Sequence, residues 1–453
     1  MNAAQSFRQA EQNQATAELA GMAVALRDDD LPDRLASRAG DLLVDLLAVT
    51  LSGSRTPELS RLADAVPCPP GGSRPLGSAV STTPESACFL DAVASCCLEL
   101  DEGNKYAAGH PAAHVVFAAV AAARLAARPI TGRGLLAAVV AGYEVAARFG
   151  HALDRDPRWH THGHWGATGA ATAASLVLGA DDRQVAAAID ASTSLSHVTA
   201  WPVVLDGGFV RNLWIAGANR AGIDAARLAL ADLVVNSGAA QHSLGTLVGA
   251  LDPARLTAGL GEDWLVLQCY AKQHSSCSYT HAVVDAVQEL RRQARWDAGD
   301  VVEVEVRTHR LAAPLLQDEN GSRLGAMFSL PFVTAMAMVS DQVDPAAMDP
   351  ASAVFARARQ LSALVRVELS PHLDELLPGR RAAEVAIRFT DGTTMALGVP
   401  NPIGDADHFP FGRAQLRAKA ARLVGESDTA RIEDVVEALS GSADVVRDLD
   451  RLP

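Results

Sequence analysis

Lysine is almost missing from this chain. Of 39 basic residues only Lys105, Lys272 and Lys419 are lysines, so 36 are arginines. Basic residues are also outnumbered by 53 acidic ones, and the net charge is −14. A surface that acidic repels nucleic acid and anionic lipid, which removes both as expected partners. No CxxC pair occurs among Cys68, Cys88, Cys96, Cys97, Cys269 and Cys277. That argues against a zinc ribbon or a dithiol redox motif, and 453 residues are too many for a disulfide scaffold. The six thiols read as small buried hydrophobes in a reducing cytosol. No run of about 20 apolar residues is free of charge. The alanine-rich stretch from Val115 to Ala127 is broken by Arg124, so no membrane span is expected. The start, Met1 to Glu18, is polar and lacks the apolar core of a signal peptide, which makes the cytoplasm the expected location. There is no GxxxxGK[ST] loop, no GxGxxG after a strand and no GxSxG elbow. Nucleotide binding, Rossmann dehydrogenation and serine hydrolysis lose their usual signatures.

What the chain does have is alanine and helical spacing. Its length exceeds one ordinary core. Leu35, Leu42, Leu43, Leu46 and Leu47 recur with helical periodicity between Pro32, a helix start, and Gly53, its end. Further helices are expected over Ser86–Glu99, Pro111–Ala127, Gly132–Gly150, Ala167–Gly179, Asp182–Ser192 and Asn212–Leu230. Many carry Ala or Gly on the face toward a neighbour, which lets helices approach closely. The texture changes near residue 300. Val302, Val304 and Val306 alternate with Glu303, Glu305 and Arg307, a half-buried strand, and Val365, Val367 and Leu369 repeat it. Glu384–Phe389, Asp391-Gly392 and Thr394–Val399 read as a hairpin with a two-residue turn. Helix returns from Gln415 to Leu439. The expected fold is mainly α, with a large all-helical domain (residues 1–267 and 403–453) and a smaller α+β domain (268–402).

Four clusters carry chemistry. The first runs from Glu99 through Asp101, Glu102 and Lys105 to His110. It has the groups of an acid/base site, although by spacing alone it reads first as a solvated loop between helices. The second is His160-Thr161-His162-Gly163-His164, opening a helix. Three alternating histidines suggest a metal, but Gly163 makes a regular strand doubtful and no Cys or carboxylate partner accompanies them. A helix start with nearby donors suits a carboxylate instead. The third is Asp206-Gly207-Gly208 leading to Arg211. The fourth runs from Lys272 through His274 to His281 at the junction of the two textures, a favoured place for a ligand cleft. Two of three lysines fall in these clusters, and lysine is the cation whose pKa can fall far enough for proton transfer.

Taken in order, these clusters resemble the MmgE/PrpD family. The likeness includes Asp41-Leu42-Leu43-Val44-Asp45, Leu51-Ser52-Gly53, His110-Pro111, the histidine-rich turn before Gly166-Ala167, Asp206–Gly222 and Lys272 with Cys277, Tyr279, Thr280 and His281. It ends at Phe328-Ser329-Leu330-Pro331-Phe332 and spans roughly residues 15 to 445. The resemblance implies a helical domain built from both chain ends, a smaller α+β lid, a homodimer and an active site between domain and lid that uses no metal and no organic cofactor. It implies dehydration, decarboxylation or epimerisation of a small polycarboxylate. It places Asp101 with Glu99 on the family's acidic motif, His110 on the following histidine, His160 on the histidine of the aromatic turn and Lys272 on the lid-junction lysine. Three departures stand out. The acidic motif reads Glu99-Leu100-Asp101-Glu102 rather than Asp-x-Asp-Asp. Arg211 stands where lysine is common. Leu330 and Phe332 occupy the stretch where the decarboxylase has a tyrosine.

The expected enzyme is a lyase, dehydratase-like, that abstracts a proton beside a carboxylate. An epimerase or decarboxylase of a related acid and a non-catalytic scaffold are the alternatives. Lys272, His110, Asp101 and His160 are the expected catalytic residues. Arg211, Glu99, Lys105, His162 and His274 are the expected substrate ligands, and no metal is expected. Partial desolvation near His274 and His281 is expected to depress Lys272. Three neighbouring carboxylates are expected to favour the His110 imidazolium.

Overall fold

The computed structural model describes residues 3–29, 31–195, 197, 199–319 and 321–453, with side chains from Arg8 onward. Met1 and Asn2, the start of the polar N-terminal stretch, lie outside the described residues. The principal helices of the first half are α1 (Ala3–Asp28), α2 (Asp33–Ser54), α3 (Pro84–Cys96), α4 (Pro111–Leu125), α5 (Gly132–Ala152), α6 (Gly166–Leu178), α7 (Asp182–Ser194) and α8 (Val210–Leu230). Their ends follow from local chemistry. Thr83 and Thr131 cap the starts of α3 and α5 with side-chain oxygens, and Asp181 and Gln184 form a capping box on α7. Pro32 stands one residue before its helix rather than in it. Helix α1 was not evident from its polar composition, yet Ala15, Leu19, Ala23 and Leu26 bury one stripe of it.

Small residues set the packing of this half. A side-chain carbon on Gly142 of α5 would lie 2.7 Å from the Gly169 carbonyl of α6, and one on Gly222 of α8 would lie 2.3 Å from Ala170. Helix α6 is therefore wedged against α5 and α8 at nearly backbone contact, with α4 alongside.

The second half begins after Cys269. It contains α9 (His281–Gln293), α10 (Leu330–Val339) and α11 (Ala353–Ser362) with a four-stranded sheet. Strands β1 (Val301–Thr308), β2 (Val365–Leu369), β3 (Ala383–Phe389) and β4 (Thr394–Val399) lie in the order β2-β1-β3-β4. Only β1 and β2 run parallel. Val304 and Val306 bury one face of the sheet together with Val385 and Ile387, as strand alternation requires. The hairpin turn differs from expectation. Phe389 N–H reaches Thr393 O, so three residues, Thr390 to Gly392, form the loop. Gly392 takes φ +86°, the left-handed position of a three-residue hairpin.

The chain then returns through α12 (Arg413–Val424) and α13 (Glu426–Leu439), which pack on α2. Two large apolar cores result, with two small alanine clusters beside them. One gathers α1–α8 with α12 and α13, and the other gathers α9–α11 with the sheet. The protein is thus mainly α with a smaller sheet-containing part. The chain crosses between the parts twice, near Ala271 and near Gly404, and there Ala271 N–H donates to Gly404 O (3.1 Å). Only glycine fits that contact, because φ is +93° and a side-chain carbon would lie 2.1 Å from Ala271 O. No helix among the described residues is long and apolar enough to cross a membrane.

Candidate active site

Two short strands far apart in sequence draw the candidate site together. Gly103–Asn104 pairs antiparallel with Cys269–Tyr270, setting Gly103 opposite Tyr270. This register brings the Lys272 segment against the loop between α3 and α4. The loop is buried, not solvated: Glu99, Asp101, Glu102 and Lys105 are each at most 3% exposed. All three lysines hold it. Lys272 Nζ lies 2.8 Å from Glu99 Oε2 and 3.9 Å from Asp101 Oδ1. Lys419 Nζ donates to Leu100 O (2.8 Å) and pairs with Asp45 (2.7 Å). Lys105 Nζ is taken up by Asp405 (3.1 Å), Asp407 (2.6 Å) and Gly379 O (2.9 Å).

Glu99 is the centre of charge. It forms ion pairs with Lys272 and with Arg211, which lies in the first turn of α8. Its backbone sits at φ +52°, a conformation that costs a non-glycine residue energy and that persists only where surroundings enforce it. Burial alone would raise its pKa, but the charges of Arg211 and Lys272 outweigh that and hold it at about 2. Asp101 differs. Burial lifts it to about 6, against the pull of Lys272 and with a push from Glu99. Burial also raises Glu102, to about 8. Its carboxyl receives Ala112 N–H (2.5 Å) and Tyr143 O–H (3.2 Å), so it serves as an internal strut.

The histidines line up beside this group. His110 is the residue before α4, and its Nδ1 lies 2.5 Å from Glu102 O and 3.3 Å from Asp101 Oδ2. A carbonyl can only accept, so Nδ1 carries the proton and Nε2 keeps its lone pair. Burial, followed by the charge of Lys272, pushes the His110 pKa well below its ordinary value. This reverses the expectation from sequence: the ring is neutral, not an imidazolium. His160 has the opposite tautomer. Its Nδ1 accepts His162 N–H (3.2 Å), which puts its proton on Nε2. Burial and the charge of Arg211 keep His160 neutral as well. Among the described residues neither Nε2 has a hydrogen-bond partner. His162 stands between them, edge to face with His110 (4.8 Å between centroids) and His160 (4.5 Å). His164 spends Nε2 on His160 O (2.8 Å). Among the described residues no three His, Cys, Asp or Glu side chains converge as metal ligands.

His110, His160, His162, Glu99 and Arg211 all line one small cavity of about 20 Å³, room for about one water molecule. Trp201 and Phe328 add apolar wall, with the Arg211 guanidinium 5.5 Å from the Phe328 ring. Tyr270, Ser278, Tyr279 and Arg381 come from the segments after Cys269, and Arg155 follows α5. Lys272 and Asp101 do not line the cavity and reach it only through Glu99 and His110. Lys105 is not part of it, because its charge is spent on Asp405 and Asp407. His274 is not part of it either: it pairs with Asp285 (2.9 Å) and packs on His281. A roomier cavity of about 50 Å³ lies between α3, α4 and the C-terminal residues. It is mainly apolar and holds no histidine, and its Arg124 is paired with Asp450 (2.7 Å).

The structure also reverses the expected pKa shift of Lys272. Burial acts to lower its pKa, but Glu99 and Asp101 overcome this and hold it above the ordinary value. Its ammonium is held against Glu99 (2.8 Å). Lys272→Met removes one of the two cations on a fully buried carboxylate, which costs about 3–5 kcal/mol. Lys272→Arg keeps the charge and is expected to lose less. Urea denaturation at neutral pH checks both, and a Lys272→Met loss below about 1 kcal/mol would show the pairing to be dispensable.

Comparison with known proteins matches both halves of the chain. Residues 17–254 match the MmgE/PrpD N-terminal domain and residues 274–440 match the MmgE/PrpD C-terminal domain. The chain is 25% identical to a cis-aconitate decarboxylase of Aspergillus terreus (strain NIH 2624 / FGSC A1156), covering 96% of this chain and 95% of that protein. It is 26% identical to the cis-aconitate decarboxylase-like protein oryM of Aspergillus oryzae, covering 95% of each.

Proposed function

The chain belongs to the MmgE/PrpD family, and from that premise we propose that it is a cofactor-independent lyase of a small di- or tricarboxylic acid, with dehydration as its first reaction. One observation carries the reading: two neutral histidines of opposite tautomer face the same cation-lined cavity. The lone pair on His110 Nε2 takes a proton from the carbon beside a carboxylate. The C–H electrons move into that carboxylate and make an enediolate. Arg211, whose buried Nε–H has no other partner, lies on the same wall to meet the new charge. The proton on His110 Nε2 then passes to the leaving hydroxyl, which His160 Nε2–H holds by a hydrogen bond as the C–O bond breaks, so water and an alkene result and both rings end neutral. As His110 becomes cationic, Asp101 at 3.3 Å supplies the counter-charge.

Decarboxylation is the second reading, favoured by the named Aspergillus relatives and by the apolar wall of Trp201 and Phe328. There the electrons of the breaking C–C bond stay on carbon, CO₂ departs, and a histidine protonates the carbon. The test is proton NMR of the full-length protein with a panel of hydroxylated and unsaturated di- and tricarboxylates, cis-aconitate included. Loss of water with formation of an alkene supports the first reading, and release of CO₂ the second. Inversion without either product would make the protein an epimerase, and no turnover across the panel would sink all three.

A further inference from the structure

Three arginines are fully buried among the described residues: Arg148, Arg211 and Arg381. Arg148 is paired with Glu144 (2.7 Å) and Arg211 with Glu99. Arg381, 4% exposed, has no carboxylate within ion-pair distance among the described residues. Uncompensated buried charges cost several kcal/mol and are retained where something compensates them. Arg381 is also aimed with care. Its guanidinium is flanked by the rings of Tyr270 (5.4 Å) and Tyr279 (5.1 Å). One N–H goes to Ser278 Oγ (3.1 Å) and another to Lys105 O (3.2 Å), while the buried Nε–H has no partner. A guanidinium has five N–H donors, so this one is held in place with donors to spare. It lines the same cavity as His110 and His160. Arg155 lines that cavity too, tied to the carbonyls of Asp156 and Trp159 and likewise without a carboxylate partner.

We propose that Arg381 and Arg155 form the binding site for a second carboxylate of the substrate, distinct from the one activated beside His110. This deepens the lyase reading and rests on it. Arg381 stands just before β3, in the sheet-containing part, whereas His110 and Arg211 belong to the helical part. A polycarboxylate then bridges both parts, and a monocarboxylate cannot. Specificity for two or more carboxylates follows from the distance between the two groups of cations rather than from the catalytic residues.

Isothermal titration of the full-length protein tests this with two inert probes, tricarballylate and butyrate. The wild type is expected to prefer tricarballylate. Arg381→Gln is expected to weaken tricarballylate by at least about 30-fold, to leave butyrate within about threefold, and so to erase the preference. Arg381→Lys, which keeps a charge but not the fork, is expected to fall between. Arg155→Gln is expected to show the same selective loss and serves if Arg381→Gln does not fold. An unchanged tricarballylate Kd in the folded variants would overturn the proposal. An equal loss for both probes would also overturn it, because that marks Arg381 as a packing residue only. If the wild type binds no polycarboxylate at all, the lyase reading falls first and this inference with it.

Discussion

Replacing His110 by alanine is expected to lower kcat by about 10²–10⁴-fold while the far-ultraviolet circular dichroism stays that of the wild type. The fold should survive because His110 precedes α4 without making a side-chain cap bond. What is lost is the only neutral ring on the cavity whose Nδ1–H is fixed by Glu102 O, leaving Nε2 as a base. The pH profile separates this role from packing. His110 itself is already neutral well below pH 6.5, so it adds no limb near its ordinary value. Asp101 adds one. It titrates at about 6, and below that its carboxyl is protonated and cannot stabilise the imidazolium that forms at 3.3 Å. Activity should therefore fall as the pH drops through about 6. Asp101→Asn should lower kcat and remove that limb. Near-normal turnover in folded His110→Ala would reduce His110 to a neighbour of His162.

Steep acid unfolding is the second expected result. Burial holds His110, His114, His160, His162, His164, His281 and His309 neutral, with His114 and His309 at about 4 and His164 at about 3. A histidine with a depressed folded pKa contributes stability that is complete above its unfolded pKa, 6.5. That stability is lost as the pH falls from there through the folded value. Each group acting fully loses about 1.4 kcal/mol per pH unit, so three together lose about 4 kcal/mol per unit, a large share of a typical total of about 5–15. Unfolding is expected between pH 6 and about 4, with Tm falling along the way. On the other side Glu102, raised from 4.5 to about 8, favours the folded state most when protonated. Its contribution is complete below pH 4.5 and is lost as the pH rises from there to about 8, so Glu102→Gln should remove that decline. Circular dichroism against pH checks both limbs, and a fold intact at pH 4 would mean that the buried histidines gain partners when protonated.

Much of this was legible in the sequence. Helices with a threonine cap or an opening proline were placed within a few residues, and strand alternation located the sheet. Glu99, Asp101, His110, His160, Arg211 and Lys272 were all singled out, and the fold gathers them. Local order shows in local patterns, and rare residue types such as lysine show against the background. Arg155 and Arg381 carried no such signal, because two arginines among 36 are invisible and their placement comes from tertiary packing. Lys105 and His274 looked like site residues because they sit beside them in sequence, yet their side chains turn to Asp405 and Asp285. The charge states failed for a different reason. Counting neighbouring carboxylates predicts a cationic His110, but desolvation, which sequence does not reveal, outweighs them there. At Lys272 the order is reversed, because Glu99 lies 2.8 Å away.

The central claim is that His110 exchanges a proton with the carbon beside a carboxylate. Turnover in D₂O, followed by mass spectrometry and proton NMR, tests it most directly once a substrate from the panel is in hand. The account predicts one solvent deuterium per turnover at that carbon in the direction that forms the C–H bond, with the rate of incorporation falling in step with kcat in His110→Ala. Turnover that leaves the carbon free of deuterium, or incorporation that persists at the wild-type rate in folded His110→Ala, would contradict it.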